Sequence, residues 1–144
     1  MAAEAVGRFV DTNVLVYAHD SSAGAKRVIA RDLLQGLWQT GAGRLSVQVL
    51  QEFFVALTRK VRKPLAVEDA RAIVADLAHW QIHAPASADV LAAIDLHRRG
   101  GLSFWDAMIV HSAVALSCDV LYSEDLTSGH RYTGVLVVDP FVSS

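Results

Sequence analysis

Four acids in this 144-residue chain stand where apolar neighbours leave little room for a charge. Asp11 ends the run "RFVD" and precedes "TNVLVYA"; Glu52 lies in "SVQVLQEFFVALTRK", Asp106 in "SFWDAMIVHSAVAL", and Asp125 in "VLYSEDLTSG". An unpaired buried charge costs roughly several kcal/mol, so each position needs a partner or a purpose. Carboxylates drawn into one crevice also repel: a pair about 4 Å apart costs ~1 kcal/mol in water and ~4 at an effective dielectric near 20. Protonation or a divalent cation relieves that repulsion. Oxygen-only donors favour Mg²⁺ or Mn²⁺ over Zn²⁺, and Mg²⁺ commonly shares a few carboxylates with phosphate oxygens, an arrangement suited to phosphodiester hydrolysis.

Each acid also has a plain structural explanation. Asp11 can cap the helix that follows it, with Asn13 as a second capping candidate. Glu52 falls opposite the stripe of Leu50, Phe53, Phe54 and Leu57, beside Gln48, Val55 and Arg59, as an exposed glutamate would. Ser103 and Asp106 have the spacing of a capping box, and an acid in the first turn suits the helix dipole. Ser123, Glu124 and Asp125 read as turn residues after a strand. The combination carries the functional reading.

The elements that must position these acids alternate between short β-branched runs and longer helical patterns, the mark of an α/β fold around a largely parallel sheet. Five strands are predicted, near Arg8 to Asp11, Arg44 to Val47, Trp80 to Ala84, Asp119 to Ser123 and Val135 to Asp139. Helical spacing recurs at Val28, Ile29, Leu33, Leu37 and Trp38, through the Glu52 segment, and in "VRKPLAVEDARAIVADLAHW" and "SADVLAAIDLHRRGG", the last stopped by Gly100 and Gly101. A final core helix starts at Ser103, apolar on nearly every face and therefore buried all round. Strands one and four are expected to be neighbours where the strand order reverses, which brings Asp11 and Asp125 to one crevice with Asp106 at the mouth of the intervening helix.

Composition agrees with one domain over residues 1–144 that buries a sizeable core: 53% of residues are hydrophobic and 19% charged. Cys118 is the only cysteine, which leaves no intramolecular disulfide and points to a reducing cytoplasm. "MAAEAVGRFV" lacks the pattern of a signal peptide, and "FWDAMIVHSAVALSCDVLY", broken by Asp106, His111 and Asp119, reads as a helix and a strand rather than a membrane span. A net charge of −2 gives no global nucleic-acid footprint, so local patches must supply one.

In order and approximate spacing, "DTNVLVYA", "QVLQEFF", "LSFWDAMIV" and "LYSEDL" resemble the four acidic motifs of the PIN domain family, over essentially the whole chain from Phe9 to the last strand. The compact form resembles the VapC-like toxins of prokaryotic toxin–antitoxin pairs. Position by position, Asp11, Glu52, Asp106 and Asp125 match the family's metal-binding and catalytic acids, and Asn13 and Ser123 its supporting polar residues. The family often has threonine at the Ser123 position. Glu124 leaves two adjacent acids, of which the spacing from Ser123 favours Asp125. The resemblance implies a three-layer α/β/α sandwich and an Mg²⁺- or Mn²⁺-dependent endoribonuclease that leaves 5′-phosphate and 3′-hydroxyl ends. It also implies a homodimer and a small VapB-like antitoxin partner.

Arg59, Lys60, Arg62 and Lys63 in "TRKVRKP" either complement a helix terminus or contact RNA phosphates, the latter with steep salt dependence. The histidines at 19, 79, 83, 97, 111 and 130 lack metal-ligand spacing and are read as core or surface residues, with His19 and His130 as candidates for the crevice rim. Trp38, Trp80, Trp105 and Cys118 are read as core. A haloacid-dehalogenase-type phosphatase would need an acid where Asn13 stands, and a receiver domain would need a phospho-accepting aspartate in "WQIHAPAS". A PIN-like scaffold that binds RNA or a partner without cutting, and a free-standing RNA-processing nuclease, are the remaining alternatives.

Overall fold

In the computed structural model, residues 6–142 are described; the signal-peptide reading falls partly on residues 1–5, which lie outside them. The strands are β1 (Arg8–Val10), β2 (Gly43–Ser46), β3 (Gln81–His83), β4 (Val120–Tyr122), β5 (Arg131–Tyr132) and β6 (Val135–Val138). The helices are α1 (Thr12–His19), α2 (Ala25–Thr40), α3 (Val47–Val55), α4 (Val67–Leu77), α5 (Ser87–Gly100) and α6 (Phe104–Ala115). The sheet runs β3-β2-β1-β4-β6-β5, parallel except for the β5–β6 pair.

The steps from β1 to β2 and from β2 to β3 run one way across the sheet, and the step from β3 to β4 runs the other. Right-handed crossovers therefore place α1 to α4 on one face and α5 with α6 on the other, giving three layers. The order reverses between β1 and β4, which pair through Phe9 with Leu121 and Val10 with Tyr122. The core between the layers is built from Phe9, Val10, Leu15, Leu45, Phe53 and Leu121, each fully buried. Helix α6 is buried on most of its surface, as its all-round apolar sequence requires.

The sheet has six strands rather than five. The extra one, β5, is two residues long and joins β6 through Thr133 and Gly134, both at positive φ (49° and 84°), the geometry of a type I′ hairpin turn. Two residues are too few to show a strand period. The Glu52 helix also departs from a plain α-helix: beyond Val55 it widens into a π-helical stretch, Ala56–Lys60, closed by Val61 N–H bonding the Ala56 carbonyl five residues back.

Gly43 is required by close packing, because a Cβ there would lie 2.4 Å from the Trp80 ring. The indole of Trp80 is half-buried over this strand and meets Trp38 edge-on, with ring centroids 5.3 Å apart. Trp38 and Trp105 are not core residues: 47% and 64% of their surface is exposed. Cys118 is buried, and that burial pushes its thiol up to about 12, an unreactive state. Among the described residues no helix is long and apolar enough to cross a membrane.

Candidate active site

Asp11 follows the last residue of β1 and is the N-cap of α1, its Oδ1 accepting from Thr12 N–H at 2.7 Å. The capping explanation is therefore correct, but it uses one oxygen. The other, Oδ2, accepts from Ser123 Oγ–H at 2.8 Å and from the Asn13 side-chain amide at 3.3 Å. Only 5% of the residue is exposed, and burial pushes its carboxyl from 3.8 up to about 6. Hydrogen bonds from Ser123 and Thr12 pull the value down, while the nearby Glu52 and Asp125 charges push it up again.

Ser123, fully buried, staples the turn after β4 to this carboxylate. Its oxygen accepts from Asp125 N–H at 3.1 Å and Leu126 N–H at 3.4 Å while its hydroxyl proton goes to Asp11. Asn13 spans the same gap. Its amide donates to Asp11 Oδ2 and to Asp125 Oδ2 (3.2 Å), and its carbonyl accepts from Glu124 N–H (3.1 Å).

The adjacent acids Glu124 and Asp125 take different sides. Asp125 faces Asn13 and Asp11, whereas Glu124 accepts from Tyr17 Oη–H at 2.7 Å and pairs with Lys26 at 2.5 Å. Burial alone would raise the Glu124 carboxyl; the bonds from Lys26 and Tyr17 and the Lys26 charge outweigh it and hold the group below its usual value. Glu124 is thus a clamp between α1, α2 and the β4 turn.

Glu52 is exposed, as its wheel position predicts, yet it points into the same network. Thr12 Oγ1–H donates to Oε2 at 3.1 Å, and the Gln48 amide donates to Oε1 at 2.7 Å. That amide also reaches the Trp105 carbonyl at 3.3 Å, tying α3 to the first turn of α6 where Asp106 stands. Asp106 N–H donates to Ser103 Oγ at 3.1 Å, so the Ser103 cap is also real. Thr12 and Gln48 had no assigned role in the sequence; the Gln48–Glu52 spacing of four on a helix was the available signal.

The donors facing this crevice are carboxylate oxygens backed by a hydroxyl and amides. Desolvation and mutual repulsion already strain Asp11 toward its protonated form. Such a set fits a hard divalent cation, which would satisfy the negative charge that the amides and hydroxyl only partly offset.

A family model described as PIN domain matches residues 8–127. The chain belongs to the PIN domain family. Two solved structures share this PIN fold at low identity. One is a toxin–antitoxin complex from Klebsiella pneumoniae, 18% identical with a TM-score of 0.71, covering 94% of this chain and 98% of that one. The other is the Mycobacterium tuberculosis VapC20, a Sarcin-Ricin loop cleaving toxin, 22% identical with a TM-score of 0.64, covering 83% of this chain and 90% of that one. No curated protein matches the chain.

Other polar groups of this PIN domain lie apart from the acids. His19 does not reach the crevice; its Nδ1 meets the Leu15 carbonyl, its ring packs edge-on to Phe53, and it lines an open groove of about 1380 Å³ between α2 and α4. His130 stacks on Tyr132 in the hairpin. Arg59, Lys60, Arg62 and Lys63 are all exposed, on and just after the π-helical stretch. Arg59 follows Glu52 by seven residues, about 10 Å along the helix. His83 and His111, distant in sequence, converge on Asp89. Their proximity comes from tertiary packing, which sequence spacing does not record.

Proposed function

We propose that this PIN domain is an Mg²⁺- or Mn²⁺-dependent endoribonuclease and the toxin of a toxin–antitoxin pair, working in the cytoplasm. One observation carries the reading. At the reversal point between β1 and β4, a buried aspartate with its carboxyl pushed up to about 6 shares a hydrogen-bond network with Glu52 and Asp125, and Gln48 ties the Glu52 helix to the first turn of α6, the turn that carries Asp106. Asp11, Glu52, Asp106 and Asp125 would hold the ion. The ion, when bound, would supply Lewis acidity at the scissile phosphate and a water of lowered pKa.

The chain's own residues set up that chemistry. Ser123 and Asn13 keep Asp11 and Asp125 aimed at one point despite their repulsion, and Gln48 and Thr12 do the same for Glu52. With water as nucleophile and the 3′-oxygen leaving and taking up a proton, the products carry 5′-phosphate and 3′-hydroxyl ends. The test is cleavage of a labelled pool of structured cellular RNAs by protein free of antitoxin, with Mg²⁺ or Mn²⁺ added or chelated. Cutting that needs the metal supports the reading. Failure to cut together with failure to bind Mn²⁺ would leave a non-cutting scaffold.

The exposed basic run supplies RNA contacts in this reading. Replacing Arg59 and Lys60 together with alanine is expected to weaken RNA binding at low salt and to flatten its salt dependence by about 0.7 in log–log slope for each phosphate no longer neutralised. Filter binding across a salt series measures this, and an unchanged slope would show that the run only solvates a helix end.

The fold shared with a toxin–antitoxin complex supports a VapB-like antitoxin as partner, and the groove between α2 and α4 offers it apolar walls from Val28, Leu34, Trp38, Leu65 and Ile73. Exposed Val47 and Val55 on α3 and Leu91 and Ile94 on α5 support a homodimer. Light scattering on the chain alone, and after mixing with the product of an adjacent small gene, checks both. A monomer refutes the homodimer, and no complex with that product refutes the antitoxin pairing.

A further inference from the structure

The acids of the crevice leave one cluster of metal-competent side chains unused. His83 ends β3, Asp89 lies in the first turn of α5, and His111 is in α6. Asp89 Oδ1 is 2.8 Å from His111 Nε2 and 3.6 Å from His83 Nε2. One ligand atom from each residue falls within 4.8 Å of the others. A tetrahedral ion with bonds of about 2.0 Å keeps its donor atoms ~3.3 Å apart, so the observed separations straddle the required one.

The surroundings orient each donor. Asp89 Oδ2 accepts from Ala86 N–H at 2.7 Å, which turns Oδ1 toward the two imidazoles. His83 Nδ1 lies 2.8 Å from the hydroxyl of the buried Ser112; with Nδ1–H donating to that oxygen, Nε2 presents its lone pair to the cluster. An imidazole whose second nitrogen is held by a neighbouring oxygen is the common arrangement at zinc centres. The side chains remain 12%, 25% and 19% exposed for His83, Asp89 and His111, which leaves access for an ion and a fourth ligand.

We propose that His83, Asp89 and His111 form a Zn²⁺ site, separate from the acidic crevice, that ties the edge strand β3 to α5 and α6. Two imidazoles and one carboxylate select a borderline ion with nitrogen affinity, where the crevice's oxygen donors select a hard one. His83 lies two strands away from Asp11 across the sheet, about 10 Å at the usual strand spacing. Asp106 and His111, five residues apart on α6, point to different sides of that helix. Binding requires the His111 tautomer that carries its proton on Nδ1, which frees the Nε2 lone pair, now beside Asp89, for the ion.

Chelator-stripped full-length protein titrated with Zn²⁺ by calorimetry, and with Co²⁺ by visible absorption, tests the site. The expected result is one equivalent of tightly held Zn²⁺ and a tetrahedral Co²⁺ spectrum, both retained in Asp125→Asn. Asp89→Asn and His111→Asn are expected to weaken Zn²⁺ by more than ~100-fold, and Ser112→Ala by ~10-fold. Zinc-edge absorption spectroscopy on the wild-type protein should count two imidazoles, a readout that does not depend on any variant folding. No stoichiometric Zn²⁺, an oxygen-only ligand shell, or binding lost in Asp125→Asn but kept in Asp89→Asn and His111→Asn would overturn the proposal.

Discussion

Asp11→Asn is expected to reduce metal-dependent RNA cleavage by more than ~100-fold, a larger effect than removing an outer partner of a metal ligand, while leaving the metal-free fold at least as stable as wild type at neutral pH. The two effects share one cause. Burial drives the Asp11 carboxyl up to about 6, so the charge that would hold a cation is a burden to the fold without one. The folded protein binds the Asp11 proton more readily than the unfolded chain, whose value is near 3.8. The stability this contributes is fully present below about pH 3.8 and is lost as pH rises through about 6. At ~1.4 kcal/mol per pKa unit, the displacement amounts to ~3 kcal/mol.

Urea denaturation in chelator should therefore show wild type losing stability between about pH 4 and 7, and Asp11→Asn losing less. Adding Mn²⁺ at about pH 7.5 should restore wild type and not the variant. Asp125→Asn should share the loss of cleavage. Glu124→Gln should retain cleavage and lose the Lys26 ion pair, because Glu124 faces α1 and α2 and not Asp11. Full cleavage by Asp11→Asn would remove this carboxylate from the chemistry. A metal-free pH profile identical in variant and wild type would show that burial does not strain it.

Ser123→Ala is expected to cost ~2 kcal/mol of stability and most of the cleavage activity. The hydroxyl is fully buried, donates to Asp11 and accepts from the backbone of Asp125 and Leu126. Its removal takes that acceptor from the Asp125 and Leu126 N–H groups and leaves Asp11 Oδ2 with the longer bond from Asn13, the costly way to break a hydrogen bond. It also removes the strongest influence pulling the Asp11 carboxyl down, so that carboxyl rises further and holds a cation less readily. Ser123→Thr keeps the hydroxyl and should recover most of the activity. Urea denaturation and cleavage assays on both variants check this. An alanine variant equal to wild type in both would show that Asn13 alone holds the turn.

Much of this arrangement was open to local reasoning. The β-branched runs around Phe9, Leu45, Ile82, Leu121 and Val137 became parallel strands because runs alternating with helical patterns bury both faces. Ser103 and Asp11 cap helices as their residue types require. The adjacency of the first and fourth strands followed from the alternation and the handedness of crossovers, which is why Asp11 and Asp125 could be expected in one crevice.

Other features depend on tertiary packing that no local pattern encodes. Strand β5 exists because Thr133 and Gly134 turn the chain back onto β6, and two residues carry no period. Trp105 is apolar by type but exposed, because α6 buries Ala107, Met108, Ile109 and Val110 and leaves its first turn at the rim. Lys26 and Tyr17, nearly a hundred residues or more away, draw Glu124 toward α1 and α2, while Asp125 stays beside Asn13. His83, Asp89 and His111 meet only because α5 packs on α6 beside the end of β3. Sequence by itself determined where the charges and apolar faces lie along the chain, since periodicity and capping are properties of neighbouring residues. Tertiary structure alone decided which distant side chains share a dielectric environment, and that sharing raises the Asp11 carboxyl and brings two imidazoles to one carboxylate oxygen.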